Sequence, residues 1–163
     1  MANPTAVILL AAGTVLLTIA AQASPQEDCQ AAQGTYLSGT VISPPRPLPG
    51  KTRQGVELSH THIRLLADQD HRSYDVAIDN VFAGGYDGAG RGVPSPLNQI
   101  KSKSRVAVCG KLYTDRTGID WVHTNCGDLP APGAPDGWIR IVGPDGTLGP
   151  NLENSQEYCS IFH

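Results

Sequence analysis

The sequence predicts an all-β fold, a small five-stranded OB-like barrel with a disulfide-tied C-terminal extension. Three observations predict it. Short runs of alternating apolar and polar residues recur along the chain, separated by turns rich in glycine and proline. No helical period of useful length appears outside the N-terminal apolar segment. The order of the runs is three strands, a gap, then a hairpin. That is the order of an oligomer-binding barrel whose inter-strand helix is reduced to a loop. A small β-sandwich is the other architecture these features allow.

The chain opens with an export signal. Ala6 to Ala21 is apolar and uncharged, and Ala21-Gln22-Ala23 has the small-x-small form of a signal peptidase site. Residues 1–23 therefore read as a signal peptide, although no Lys or Arg precedes the apolar run. The run is shorter than the roughly 20 residues a membrane span needs, so no stable membrane insertion is expected after cleavage. Cys29 follows Gln26-Glu27-Asp28, which is not a lipoprotein tripeptide. Residues 24–163 then form a single β-barrel domain, periplasmic or secreted, with a C-terminal arm over residues 127–163.

The strands follow in order. Tyr36 to Ile42 is the first, and Ser43 to Gly50 is a proline-rich connector that cannot enter a sheet interior. Val56 to Ala67 is the second, with Leu58, His60, His62 and Arg64 on one face and Glu57, Ser59, Thr61, Ile63 and Leu65 on the other. Ser73 to Phe82 is the third, with Val76 and Ile78 opposite Asp75, Ala77 and Asp79. Ala83 to Asn98 is a glycine-rich surface connector without phosphate-loop spacing, expected to be the most mobile segment. Pro96 to Ile100 suits one helical turn, and Trp138 to Val142 a short extra strand.

Val106 to Asp128 reads as the hairpin at the centre of the chain. Asp115-Arg116-Thr117-Gly118 supplies the turn, with Gly118 at the left-handed position, and Ile119 to Cys126 returns as a strand. In that register Leu112 faces Val122 and Val108 faces Cys126. Cys109 then points away from Cys126, so a bond between them would fight the pleat. An even count of four cysteines in an exported chain predicts two disulfides. The favoured pairs are Cys29–Cys109 and Cys126–Cys159. A zinc site is disfavoured, because no C-x-x-C spacing exists.

Ile119-Asp120-Trp121-Val122-His123-Thr124-Asn125, followed by Asp136-Gly137-Trp138-Ile139, resembles an uncharacterised family of small exported bacterial proteins. Those carry a HWTH-like segment and then GWI near the C-terminus. Asp120 stands here where that family's first His would be, and Thr124-Asn125 replace His-Asp. The resemblance implies export and a barrel-like fold, and no activity.

Several chemistries are excluded or left thin. The net charge is −3 and no basic cluster appears, so nucleic acid is not an expected partner. No G-x-S-x-G elbow supports a serine nucleophile. Glu57, Asp75 and Asp79 offer carboxylates for glycan cleavage, but their spacing singles out no pair. The strongest metal pattern is H-x-H at His60 and His62 with His123 as a third imidazole, and Asp75 or Asp79 as a further ligand or orienting acceptor. It supports one alternative, a metal-dependent hydrolase, nuclease-like or glycan-acting.

The favoured expectation is an exported binding protein without a cofactor, for a small molecule or glycan. Its candidate binding residues are His60, His62, Tyr74, Trp121 and Asn125, with Trp121, Tyr74, Tyr86 and Tyr113 as stacking surfaces. The acidic charge favours a neutral or cationic ligand. The sequence sets no oligomeric state.

Overall fold

The computed structural model describes residues 23–163, so the expected signal peptide lies outside the described residues except for Ala23. Nine strands form: β1 Thr35–Val41, β2 Arg46–Leu48, β3 Thr52–Arg53, β4 Val56–Glu57, β5 His60–Ala67, β6 Ser73–Asp79, β7 Arg105–Leu112, β8 Gly118–Asp120 and β9 Trp138–Ile141. Five of them close a barrel in the order β1-β5-β6-β8-β7 and back to β1, with β6 and β8 parallel and the other neighbours antiparallel. This is the OB-like topology expected from strand order.

The alternation read from sequence sets the core. Thr61, Ile63 and Leu65 of β5 face inward with Tyr74, Val76 and Ile78 of β6, Leu37 and Val41 of β1, Val106 and Val108 of β7, and Ile119 of β8. His60, His62, Asp75 and Asp79 consequently face outward. Barrel closure passes through Gly39, which pairs with Ala67 of β5 and with Val106 of β7. A Cβ there would stand 2.0 Å from the carbonyl oxygen of Leu66. Gly39→Ala is therefore expected to cost about 1–3 kcal/mol through forced backbone shifts. Urea unfolding checks this, and a loss below about 0.5 kcal/mol, the usual scale of neutral surface changes, would contradict it.

The hairpin differs from expectation in its turn and register, and again after Asp120. Its loop is longer, so Leu112 faces Ile119 and Lys111 faces Asp120. Arg116, at φ 57°, takes the left-handed position. Gly118 is needed for a different reason: a Cβ there would lie 2.5 Å from the Tyr113 ring and 2.7 Å from the Asp75 carbonyl. The return strand then stops, because Trp121 is itself left-handed at φ 55°. The edge of β7 that residues 122–126 were expected to occupy is taken by β9, with Cys109 opposite Trp138 and Val108 opposite Ile139. His123 and Asn125 therefore sit in irregular chain and not on a strand.

Both expected disulfides form. Cys29–Cys109 fixes α1, Pro25–Ala31, to the outward side of β7. Sequence periodicity missed this short helix, although Ser24 and Glu27 form a capping box at its start. Cys126–Cys159 ties the C-terminal extension to the segment after β8. Leu152 enters the barrel core, and the Ser155 amide donates to the Phe82 carbonyl. The proline connector contributes only an edge strand, β2, on β5. In the 83–98 connector, Ala83, Tyr86 and Leu97 are buried, and the Tyr86 hydroxyl donates to the Glu57 carbonyl.

Candidate functional site

Antiparallel pairing puts His60 directly opposite Asp79 on the outer face of β5 and β6. His60 Nε2 lies 2.5 Å from Asp79 Oδ1. One step along, His62 Nδ1 lies 2.8 Å from Asp75 Oδ2, which also accepts from the Tyr113 hydroxyl at 3.4 Å. The left-handed turn at Trp121 brings His123 over the end of β6, where its Nε2 lies 3.1 Å from Asp79 Oδ2. Asp79 is thus shared by two imidazoles.

The chemistry of His123 follows from its partners. Its Nδ1 is 2.7 Å from the Thr124 carbonyl oxygen, and its Nε2 faces the Asp79 carboxylate. Both partners are acceptors, so each ring nitrogen has an acceptor within hydrogen-bond reach. It is packed between Phe82, at a centroid distance of 3.8 Å and an interplanar angle of 3°, and Trp121, at 5.3 Å and 26°. Phe162 of the extension stacks on the far side of Phe82 at 5.5 Å, with the Arg53 guanidinium 5.5 Å beyond. Lys111 lies 5.9 Å from the Trp121 ring.

The surrounding carboxyls diverge. Burial opposes ionisation of Asp79, but hydrogen bonds from His123 and His60, with their charges, outweigh it and hold the carboxyl far below the usual range. The bond to Asp79 raises His60 against the opposing effect of burial. Burial raises Asp120, partly offset by Lys111. Glu153 is fully buried, neither carboxyl oxygen has a partner among the described residues, and burial followed by the nearby Asp79 charge raises it well above the usual range, which favours the neutral acid.

A cleft of about 360 Å³ opens over this cluster. Its walls are largely apolar, from Leu58, Val81, Phe82, Trp121, Phe162 and the Cys126 bridge, and His60, Asp79 and His123 supply its polar side. Asn125 also lines it, but its groups are engaged. Its amide donates to Asp136, its Oδ1 accepts from Trp121 Nε1 at 3.2 Å, and its Nδ2 donates to the Ala134 carbonyl at 3.1 Å. With Asp79 and His123 engaged to each other, the polar groups left on the lining are Nδ1 of His60 and the exposed Asp128 and His163.

Of the residues singled out in the sequence, His60, Asp79, Trp121, His123 and Asn125 meet at this cleft. His62 and Asp75 form the adjoining pair on the outer face. Tyr74 lies elsewhere: its ring is buried in the barrel on the inward face it shares with Val76 and Ile78, and its hydroxyl donates to Asp70. The three imidazoles do not converge on one open point, since His123 and His60 both point at Asp79. Among the described residues, no set of three or more His, Cys, Asp or Glu side chains is disposed to hold a metal ion. Leu58, Val81, Phe82, Phe162 and Glu153 were not foreseen as parts of the site. Only the Cys159 bridge hints in the sequence that Phe162 is held nearby.

No protein-family model matches the chain, no curated protein matches it, and no solved structure matches it. Two disulfides point to an oxidising compartment. Among the described residues no helix is long and apolar enough to cross a membrane.

Proposed function

We propose that the protein is an exported binding module, periplasmic or secreted, whose cleft takes a small ring-bearing molecule with one hydrogen-bond donor. The observation that carries this is the state of the cleft's polar groups. Asp79 and His123 engage each other, His60 and the Thr124 carbonyl, and Asn125 is engaged by Trp121, Asp136 and the Ala134 carbonyl, which leaves apolar walls, His60 Nδ1 and the exposed Asp128 and His163. Above its raised pKa the His60 ring keeps Nε2–H directed at Asp79, has its lone pair on Nδ1 and accepts from a ligand N–H or O–H. A concave, mainly apolar site with few orienting polar groups is the usual form of a small-molecule site. A glycan fragment, with hydroxyls all round, would leave many of them unpaired against these walls. The chain's acidic charge and the rim carboxylate of Asp128 favour a neutral or cationic ligand.

The test is a titration of the mature protein with phenol, aniline, indole, benzylamine and, separately, chito- and cello-oligosaccharides, followed by calorimetry. Ring compounds are expected to saturate one site. His60→Ala should weaken them about tenfold, the effect of one lost hydrogen bond of about 1.4 kcal/mol. Saturable binding of the oligosaccharides alone would replace the ring-compound reading with a glycan one. Binding of neither set, or ring binding indifferent to His60→Ala, would contradict the proposal.

A further inference from the structure

We propose that His60 and His62 together form a binding site for a transition-metal dication of borderline softness, Zn(II) or Cu(II), at the edge of the cleft. This goes beyond the small-molecule reading and does not depend on it.

Three observations support the site. First, the two residues stand two apart on β5 and share its outer face, with ring centroids 6.2 Å apart at an interplanar angle of 61°. With metal–nitrogen bonds of about 2.0–2.1 Å, two imidazoles on one ion have centroids about 5.2 Å apart at a tetrahedral angle and about 6.4 Å apart when opposed. The pair therefore spans an ion with nearly opposed rings as it stands, and reaches the tetrahedral spacing by a side-chain swing of about 1 Å that leaves the strand in place.

Second, each ring has its own carboxylate behind it. Asp79 holds Nε2 of His60, and Asp75 holds Nδ1 of His62. A carboxylate on one ring nitrogen fixes the tautomer and leaves the lone pair on the other, and this is how metal-ligating histidines are usually supported. The lone pairs here fall on Nδ1 of His60 and Nε2 of His62, and both kinds of nitrogen serve as ligands. Asp75 is in turn held by the Tyr113 hydroxyl.

Third, both side chains are reachable, at 35% and 19% exposure. An ion can arrive and keep water in its remaining positions. His123 is not a ligand, because both of its nitrogens are already engaged, by Asp79 and by the Thr124 carbonyl. Two imidazoles select zinc, copper or nickel over calcium or magnesium. A bound ion takes the same Nδ1 lone pair of His60 that the cleft offers to an organic ligand, so the two compete there.

The experiment uses the mature chain without a histidine tag. Zn(II) is titrated against a chromophoric chelator, and Cu(II) is added for electron paramagnetic resonance. One equivalent is expected, with nitrogen hyperfine structure from two imidazoles, and Ca(II) and Mg(II) should not compete. His62→Ala should lower affinity at least tenfold. Asp75→Asn, which keeps both rings, should lower it 10–100-fold, the usual effect of losing a supporting carboxylate. His71→Ala and His163→Ala should change nothing. Circular dichroism verifies each fold, and if His62→Ala fails to fold, Asp75→Asn decides. Binding that is absent, that survives the deciding variant, or that follows His71 or His163 overturns the proposal. None of those results touches the ring-compound titration, which is done without metal.

Discussion

Replacing Cys29 and Cys109 together by alanine is expected to lower stability by about 4.5 kcal/mol, the chain-entropy value for a bridge closing an interval of 80 residues. The bridge joins the N-terminal helix to β7, which runs the length of β1 in the barrel closure. Both cysteines are fully buried, so their loss also removes packing. The same relation gives about 3.7 kcal/mol for Cys126–Cys159, which spans 33 residues. Denaturant unfolding of the two double variants measures both. The half-buried Cys126–Cys159 bridge should also be the first to yield to reductant, because Cys29 and Cys109 are shielded. A loss below about 1 kcal/mol for the Cys29/Cys109 variant would mean that the helix is not integral to the barrel.

Glu153→Gln is expected to change how stability depends on pH. The folded protein keeps a proton on Glu153 because burial, and then the Asp79 charge, raise its pKa well above the usual value. The unfolded chain releases that proton above about pH 4.3. Between the two values the folded state binds more protons than the unfolded state, so stability contributed by this group falls as pH rises. Glutamine cannot ionise and removes the dependence. The stability difference, variant minus wild type, should be flat below about pH 4 and then grow in favour of the variant by about 1.4 kcal/mol per pH unit, up to the folded pKa. Any cost of seating the amide is the same at every pH and drops out of the slope. Urea unfolding from pH 4 to pH 8 measures it, and a constant difference across that range would show that Glu153 ionises as freely folded as unfolded.

What could be read from the sequence was whatever depends on unbroken alternation. β5 and β6 keep period 2 throughout, so the outward placement of His60, His62, Asp75 and Asp79 followed directly. The two expected disulfides form, but the register used to argue for them set Cys126 opposite Val108 on a return strand that ends at Asp120. The segment from Ile119 to Cys126 has the β-branched and aromatic content of a strand, yet those side chains serve the cleft. The left-handed backbone at Trp121 has no local signal, since tryptophan is not a residue chosen for such a position. The meeting of His123 with Asp79 depends on where the chain goes after that turn, as do the stacking of Phe162 on Phe82 and the burial of Glu153. The part of the C-terminal extension after β9, which supplies the last two, lacks periodicity and docks through a disulfide and isolated backbone bonds.

The central claim is that a ring ligand enters the cleft against His60. It is tested most directly by long-range proton–nitrogen spectra of the histidine side chains, with the tryptophan indole signals, during titration with the best ring compound. The account predicts that Nδ1 of His60 and Nε1 of Trp121 shift along one saturable curve and that His71 stays in place. Saturation of the ligand with the His60 and Trp121 signals unmoved would contradict it.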